Sequence, residues 1–276
     1  SLGEQLIAAN PDVEFALVRP AIVESSWQFP FPGWIEGGRT AAPLVLMALG
    51  GLKDWPVRED APLEVAPVDM IASAILMIAA LLLDGRHARV YQLGSADVNP
   101  VTFGETVKLL DAEARRRKNG SAWGRALAGS LAGGRRDGQV HFVSEEETQK
   151  RRQKLQRQAS RAQRRLAGAK AVTEKLRLPG GRWLEACIAE LRKLDLQAAF
   201  REQTLDQYLP FVLQNRYVFE CENMRRARAL LSDAGRELLP WRPESIDWKE
   251  YWTENQIGGI EKWVQPAAVR DWTFKI

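Results

Sequence analysis

The feature that most constrains this chain is an apolar stretch of fourteen residues, 70–83 with Ser73 included, that lies between Asp69 and Asp84. A membrane-spanning helix needs about 20 apolar residues, so this stretch is too short to cross a bilayer. A helix that is apolar on all sides is normally buried in a protein core. The stretch therefore predicts a buried helix of a globular domain. We expect Asp69 to cap the start of that helix, where a negative charge is favourable, rather than to act as a catalytic acid.

Short apolar runs alternate with helical patterns over the first 114 residues, which predicts an α/β fold with buried parallel strands. We expect strands over 13–18, 63–65 and 89–93, and helices over 1–9, 42–49, 70–83 and 102–114. Pro20 is expected to close the first strand, because proline cannot donate a hydrogen bond to a central ladder. Between the first strand and the second helix, residues 25–38 form a loop rich in aromatic residues, proline and glycine.

Composition excludes two classes of small, cross-linked protein. Hydrophobic residues make up 45% of the 276-residue chain, which is enough to bury a core. The two cysteines, Cys187 and Cys221, cannot form a disulfide framework, and the two histidines, His87 and His141, lie far apart. We therefore expect no structural metal site.

The net charge of +4 conceals a strongly basic middle segment, residues 115–182. It contains 19 Lys and Arg against 5 Asp and Glu, a local balance of +14 that leaves −10 for the rest of the chain. The sequence predicts a linker or insert that is partly helical, with a helix that starts at Ser144 and is polar nearly all round to about Leu176. A solvated helix is one interpretation, and contact with an anionic partner is another. Nucleic acid is disfavoured, because the central part of the segment has Trp123 and Phe142 as its only aromatic residues.

The last part of the chain, residues 183–276, is predicted to be a helical, Trp-rich domain. Five of the ten tryptophans follow residue 240. Packing in a small helical core is the favoured interpretation, with a membrane-interface role as the alternative. The predicted organisation is thus 1–114, the basic segment 115–182, and 183–276.

Two strings in the first domain resemble a known family. They are Val-Arg-Pro-Ala-Ile-Val-Glu-Ser at 18–25 and Pro-Phe-Pro-Gly-Trp-Ile-Glu-Gly at 30–37. They resemble the alcohol-forming (male-sterility) fatty acyl-CoA reductases of the extended short-chain dehydrogenase/reductase superfamily. Weaker similarity occurs at 1–4, 65–70, 208–211, 215–219 and 246–252, and the likeness covers about 1–115 and 183–265. It implies the C-terminal part of a Rossmann-like parallel sheet, followed by a mostly α-helical domain.

The resemblance also implies a chemistry. Such enzymes use NADPH to transfer hydride to the carbonyl carbon of a fatty acyl thioester, with a Tyr-x-x-x-Lys pair assisting proton transfer and a Gly-rich loop binding the cofactor phosphates. This sequence contains neither a Gly-x-x-Gly-x-x-Gly string after a strand nor a tyrosine followed four residues later by lysine. Both elements are expected upstream of Ser1. We therefore expect no catalytic residue within these 276 residues, and no activity from this chain alone.

The site residues are assigned from the same resemblance. Cofactor binding is expected from Pro20, Ala21, Ile22 and Val23, and substrate binding from Glu24, Ser25, Phe31, Pro32, Gly33 and Trp34. If the resemblance is set aside, the sequence of residues 20–23 is also that of an ordinary turn after a strand. The aromatic residues of the substrate-binding group could equally form a hydrophobic lid on the core. Apolar walls with a few polar groups suit an acyl or thioester channel.

Three functions remain open from the sequence. The first is part of an NADPH-dependent reductase that acts on fatty acyl-CoA or an acyl carrier protein thioester and gives an aldehyde or alcohol. The second is a binding module for acyl thioesters or lipids without chemistry, and the third is a scaffold that binds anionic surfaces through the basic segment. A cytoplasmic location is expected, with a peripheral membrane contact as an addition, because a long-chain alcohol has to leave into lipid.

Overall fold

The computed structural model describes residues 2–38, 40–118, 139–175, 185, 188–189, 206–208 and 216–264. In chain order, the strands are β1 (Leu17–Pro20), β2 (Ile22–Glu24), β3 (Asp54–Trp55), β4 (Val65–Pro67), β5 (Val90–Leu93) and β6 (His141–Phe142). The helices are α1 (Leu2–Ala8), α2 (Ala42–Leu49), α3 (Val68–Leu83), α4 (Phe103–Lys118), α5 (Glu145–Lys175), α6 (Glu222–Ala229), α7 (Asp233–Leu238) and α8 (248–264). This confirms the α/β class predicted from the sequence.

The chain divides into two compact units. The first contains Ser1–Val45, Pro62–Leu109 and Arg216–Thr273, and the second contains Leu46–Ala61, Leu110–Asn215 and Phe274–Ile276. The three-part organisation predicted from the sequence stays a prediction.

Two parallel strand pairs form the framework of the first unit. β1 pairs with β5, with Leu17 opposite Val90, and β2 pairs with β4, with Ile22 opposite Val65. Ala21 separates β1 from β2 and donates its amide hydrogen to the Leu93 carbonyl oxygen at 2.8 Å. The chain therefore passes directly from one strand pair to the other at this residue.

The first strand was predicted too early along the chain. β1 begins at Leu17 instead of Val13, and it includes Pro20. The amides of Leu17 and Ala21 donate to oxygens of the β5 segment, so the nitrogen of Pro20 points away from β5 and its missing hydrogen costs that ladder nothing. β4 likewise lies two residues later than predicted, because the Leu63 amide donates to Val101 outside the sheet.

Most predicted helices are confirmed. α1, α2 and α4 match the expected segments, and the capping box of α4 is present, because Glu105 accepts from the Thr102 amide at 2.8 Å while Thr102 Oγ1 accepts from the Glu105 amide at 3.1 Å. The basic helix predicted from Ser144 is α5. The first part of the helical domain predicted over 183–276 lies largely outside the described residues.

The central helix α3 is only partly buried, contrary to the prediction from its composition. Its core-facing side chains are Met70, Ile71, Ala74, Met77, Ile78 and Leu81. On the other face, Leu76 is 59% exposed and Leu83 is 91% exposed. No helix in the described part of the chain is both long enough and apolar enough to cross a membrane.

The second unit contains a strand pair that the sequence did not predict. β3 pairs in parallel with β6, with Asp54 opposite His141. Next to β3, the Lys53 ammonium pairs with the nearly buried Asp111 carboxylate at 2.5 Å. Strands of two residues are too short to show a periodic pattern of apolar residues, so the sequence does not predict this pair.

The C-terminal part of the first unit ends in the helical run α8. It contains two π-helical segments, Tyr251–Gln256 and Ile260–Val264, of the kind that often occurs at functional sites. The rings of Trp248 and Trp252 are buried against Tyr251, with ring centres 5.8 and 5.7 Å away. Packing in the core is therefore the role of these two tryptophans.

Candidate functional site

The predicted cofactor-binding residues lie where β1 ends and β2 begins. Pro20 is exposed, and Ala21, Ile22 and Val23 are half-buried. This is the carboxyl end of β1, the side on which open parallel sheets bind ligands. The Ile22 amide donates to the Glu64 carbonyl oxygen at 3.1 Å, so this amide and that of Ala21 are already used within the sheet. A ligand here would contact the remaining backbone groups and side chains.

Glu24, at the end of β2, is a buried carboxylate held by two amide donors. Its side chain is 3% exposed, Oε1 accepts from the Ala41 amide at 2.6 Å, and Oε2 accepts from Nε2 of Gln256 at 2.6 Å. Burial raises the pKa of Glu24, because a charged carboxylate loses its hydration there, and the hydrogen bonds counteract part of this rise. The group is thus fixed as an acceptor at the centre of the site.

Ser25 is held by its backbone, while its hydroxyl has no partner among the residues that the structure describes. The amide donates to Oε1 of Gln256 at 3.1 Å, and the carbonyl oxygen accepts from the Tyr251 hydroxyl at 2.8 Å. The Ser25 side chain is fully buried, and within the described part of the chain its Oγ has no hydrogen-bond partner. Buried polar groups are nearly always paired, so an orphaned hydroxyl at a strand end is a specific sign of a missing partner.

The loop after Ser25 is organised by Asp69 and Ser26. The Asp69 carboxylate accepts from three successive amides, those of Trp27, Gln28 and Phe29, at 2.8, 2.8 and 3.0 Å. Ser26 Oγ donates to the Phe31 carbonyl oxygen at 2.6 Å and accepts from the Trp34 amide at 2.9 Å. Pro67 is the N-cap residue of α3 and makes no side-chain capping bond, while Asp69 lies in the first turn. The carboxylate of Asp69 therefore holds the loop, a role that differs from the predicted helix cap.

The far side of the loop lies against α8. Gly33 has a φ of +79°, and a Cβ at this position would lie 2.5 Å from the backbone oxygen of Asn255. Gly259 likewise leaves room for the Gly33 carbonyl. Both glycines are required for this close approach, since any side chain would push the loop away from the helix.

The predicted substrate-binding residues separate into two groups. Glu24, Ser25 and Gly33 are buried and Trp34 is half-buried, whereas Phe31 and Pro32 are exposed. The Phe31 ring lies 6.0 Å from that of Trp263, and the Lys262 ammonium lies 5.7 Å from the centre of the Phe31 ring. The roles assigned to these six residues, and to residues 20–23, stay predictions.

Sequence reasoning missed the contribution of α8 to this site. Tyr251 lies in the string 246–252 that resembles the family, and the sequence analysis assigns no site role to it, to Asn255 or to Gln256. All three nevertheless hydrogen-bond to the segment 24–27. A usable signal was present, because Asn255 and Gln256 are polar residues between apolar positions that a helix would bury. Their partners lie more than 220 residues away, which no local pattern reveals.

Comparison with known proteins supports the resemblance. Residues 1–75 match the family model of the male sterility protein, an NAD-binding domain. Probable fatty acyl-CoA reductase 5 of Arabidopsis thaliana is 36% identical over 128 residues, which is 44% of this chain and 26% of that protein. Probable fatty acyl-CoA reductase 4 is 28% identical over 275 residues, 96% of this chain and 50% of that protein. The chain is therefore similar to fatty acyl-CoA reductases, and most strongly so in its first 75 residues, which match the male sterility model.

This similarity confirms the resemblance seen in residues 18–37. The chain spans half or less of the length of the curated relatives described above. The matched domain indicates a nicotinamide cofactor. The residues present fit the nicotinamide end of such a cofactor, since they offer a strand end and an unpaired hydroxyl. They offer no Gly-rich loop for its phosphates, because the sequence contains none after a strand.

Proposed function

We propose that this chain forms the nicotinamide and acyl-thioester side of an NADPH-dependent fatty acyl-CoA reductase that gives a fatty aldehyde or alcohol. The observation that carries the proposal is the buried hydroxyl of Ser25, directly after the carboxyl end of β2, which has no hydrogen-bond partner among the described residues. In this proposal, residues 20–23 contact the nicotinamide end, and the loop 25–34 covers the thioester or acyl group.

Ser25, Gln256 and Tyr251 each have a part in the proposed reaction. When bound, the nicotinamide supplies the hydride that reduces the thioester carbonyl carbon, and the thiol of CoA leaves. The Ser25 hydroxyl donates a hydrogen bond to the carbonyl oxygen, where negative charge develops, and its buried position makes that bond stronger than it would be in water. Gln256 and Tyr251 hold the Ser25 backbone, so the hydroxyl needs no rearrangement.

The tyrosine and lysine of the family motif are proposed to come from a segment outside these 276 residues. The positions four residues after Tyr91, Tyr208, Tyr217 and Tyr251 are Ser95, Val212, Cys221 and Asn255. We therefore expect the isolated chain to oxidise no NADPH when palmitoyl-CoA is added. Steady oxidation by the purified chain would contradict this part of the proposal.

Two buried serines provide a matched test of the Ser25 assignment. Ser25 and Ser95 are both fully buried, but Ser95 Oγ donates to the Val65 carbonyl oxygen at 2.7 Å whereas Ser25 Oγ has no described partner. Titration with palmitoyl-CoA, followed by tryptophan fluorescence, is expected to show affinity about fivefold weaker in Ser25→Ala, the value of one hydrogen bond. Ser95→Ala is expected to bind like the wild type but to lose about 1 kcal/mol of unfolding free energy.

The same pair of variants distinguishes a ligand role from a structural one. If Ser25→Ala loses stability and keeps its affinity, the hydroxyl is structural and the assignment is wrong. Absence of saturable palmitoyl-CoA binding to the wild type would remove both the reductase proposal and its alternative. That alternative, an acyl-thioester binding module without chemistry, is favoured by the missing Tyr-x-x-x-Lys motif. A cytoplasmic location with a peripheral lipid contact, and acyl carrier protein as a second thioester donor, are parts of the same proposal.

A further inference from the structure

The basic helix α5 contains a run of cations without any anion. Residues 148–173 include nine Lys and Arg and no Asp or Glu. Near the start of the helix, Lys150 pairs with Glu146 at 3.6 Å. Further along, the described carboxylates form no ion pair with Arg157, Arg161 or Arg164. These three guanidinium groups therefore lack the local neutralisation that charged helices usually have.

The three arginines lie on one face of the helix and line a cavity. It has a volume of about 330 Å³, and its lining residues are Gln153, Arg157, Ser160, Arg161 and Arg164. The spacing of four, three, one and three residues places all of them on one side of α5. The five described lining residues supply hydrogen-bond donors of three kinds, and none of them is a carboxylate.

We propose that this cavity binds a ligand that carries two or more phosphate groups. The planar guanidinium group matches phosphate oxygens with two parallel hydrogen bonds, which makes arginine the preferred residue for phosphate recognition. Arg157 and Arg164 are seven residues apart, or about 10 Å along the helix axis, so phosphates in a row can contact more of this face than a single phosphate can. A chain of phosphates, or a head group with several, can contact all three arginines. Ser160 and Gln153 add neutral donors between them.

Two other kinds of polyanion fit the helix less well. α5 contains no Phe, Trp or Tyr, so it offers no ring on which nucleic acid bases could stack. It also has no apolar face for insertion into a lipid interface, with few apolar side chains larger than alanine along 31 residues. The site therefore fits soluble polyphosphates or a polyphosphorylated lipid head group. This inference does not depend on the proposed reductase function, because every residue it uses belongs to α5.

Binding is also expected to stabilise the helix itself. Arg157 and Arg161 are four residues apart, and Arg161 and Arg164 are three apart, which are the spacings at which like charges repel on a helix. A bound polyphosphate removes this repulsion. Tripolyphosphate is therefore expected to increase the helical signal in circular dichroism by more than sodium chloride of equal ionic strength, which only screens the repulsion.

Titration calorimetry of the full chain with inorganic tripolyphosphate tests the site directly. We expect one saturable site at low salt that weakens steeply between about 50 and 200 mM salt. The variant Arg157→Gln/Arg161→Gln is expected to lose at least tenfold in affinity. The control Lys154→Gln/Arg165→Gln removes the same charge from the same helix, outside the cavity, and is expected to keep the wild-type affinity within about twofold. Glutamine keeps helix propensity close to that of arginine and lysine, so both variants should fold.

A second experiment determines whether the phosphate groups belong to a lipid head group or to a soluble ligand. Phosphatidylcholine vesicles that contain phosphatidylinositol bisphosphate are compared with vesicles of phosphatidylcholine alone. Binding only to the former, displaced by tripolyphosphate, supports the site with a lipid head group as its ligand. Tripolyphosphate binding without vesicle binding supports it with a soluble ligand. Equal losses in the two double variants, tighter binding to duplex DNA than to tripolyphosphate, or no binding at low salt would each overturn the proposal.

Discussion

The candidate site and the basic helix α5 are ordered by opposite kinds of interaction. In the site, buried groups on β2 and on α8 hydrogen-bond across more than 220 residues of sequence, as between Glu24 and Gln256. In α5, the described ion pair Lys150–Glu146 joins residues four apart and lies fully in solvent. The first region therefore depends on the fold around it, and the second depends mainly on its own helix-forming residues.

This difference has an energetic consequence. An unsatisfied polar group in a buried site costs about 1–3 kcal/mol, whereas an exposed ion pair on a helix contributes about 0.2–0.5 kcal/mol. Substitutions in the site should thus affect the whole first unit, and substitutions in α5 should affect little beyond the helix. The substitution with the largest expected loss of stability tests this contrast between the site and α5 most directly.

Gln256→Ala should be the most destabilising of these changes. It leaves Oε2 of Glu24 and the amide of Ser25 without partners in a buried site, and the two losses together predict about 3 kcal/mol of unfolding free energy. Chemical denaturation followed by tryptophan fluorescence measures it. Gln92→Ala is the control, because Gln92 is half-buried and accepts, within the described part of the chain, a single hydrogen bond from the Glu220 amide, which predicts less than about 1 kcal/mol. Equal losses in both variants would mean that the buried network contributes no more than a surface contact.

A pH dependence of opposite sign should distinguish Glu24 from an exposed carboxylate. Burial raises the pKa of Glu24, so its contribution to stability is complete below the unfolded pKa of about 4.3 and is lost as the pH rises through its folded pKa. The stability difference between wild type and Glu24→Gln should therefore fall as the pH rises above about 4.3. We expect this change in stability to be smaller than that of Gln256→Ala, because the hydrogen bonds to Glu24 oppose part of the rise in its pKa.

Glu4 supplies the comparison for that experiment. The Arg19 guanidinium, which donates to Glu4 at 2.8 and 3.1 Å, lowers the pKa of this exposed carboxylate to about 2. The contribution of Glu4 to stability is present above the unfolded pKa and is lost as the pH falls. The difference in unfolding free energy between wild type and Glu4→Gln should therefore rise with pH. Denaturation curves at a series of pH values record both. Slopes of the same sign would show that burial does not control the ionisation of Glu24.

The same contrast explains what could be predicted from the sequence. The limits of α2, the capping box of α4 and the start of α5 follow from residues within a few positions of each other. The resemblance to fatty acyl-CoA reductases was identifiable from residues 18–37, because they lie in one continuous segment. The partners of Glu24 and the role of Asp69 were not predictable, because they depend on which distant segments meet. The exposed face of α3 was missed for a related reason, since composition gives the polarity of a helix but not what covers it.

The smallest expected effect tests whether α5 is ordered by local charge. Arg161→Glu places an anion four residues after Arg157, three before Arg164 and four before Arg165, and so replaces repulsion with attraction. At low salt we expect a gain in helicity, worth about 0.5–1 kcal/mol, in circular dichroism without added polyphosphate. Arg161→Gln removes the repulsion alone and should give about half of that gain. Because these charges are exposed, salt at about 0.5 M should abolish both gains. A loss of helicity in Arg161→Glu would instead mean that α5 is held by contacts of its arginines, and the contrast with the buried site would no longer hold.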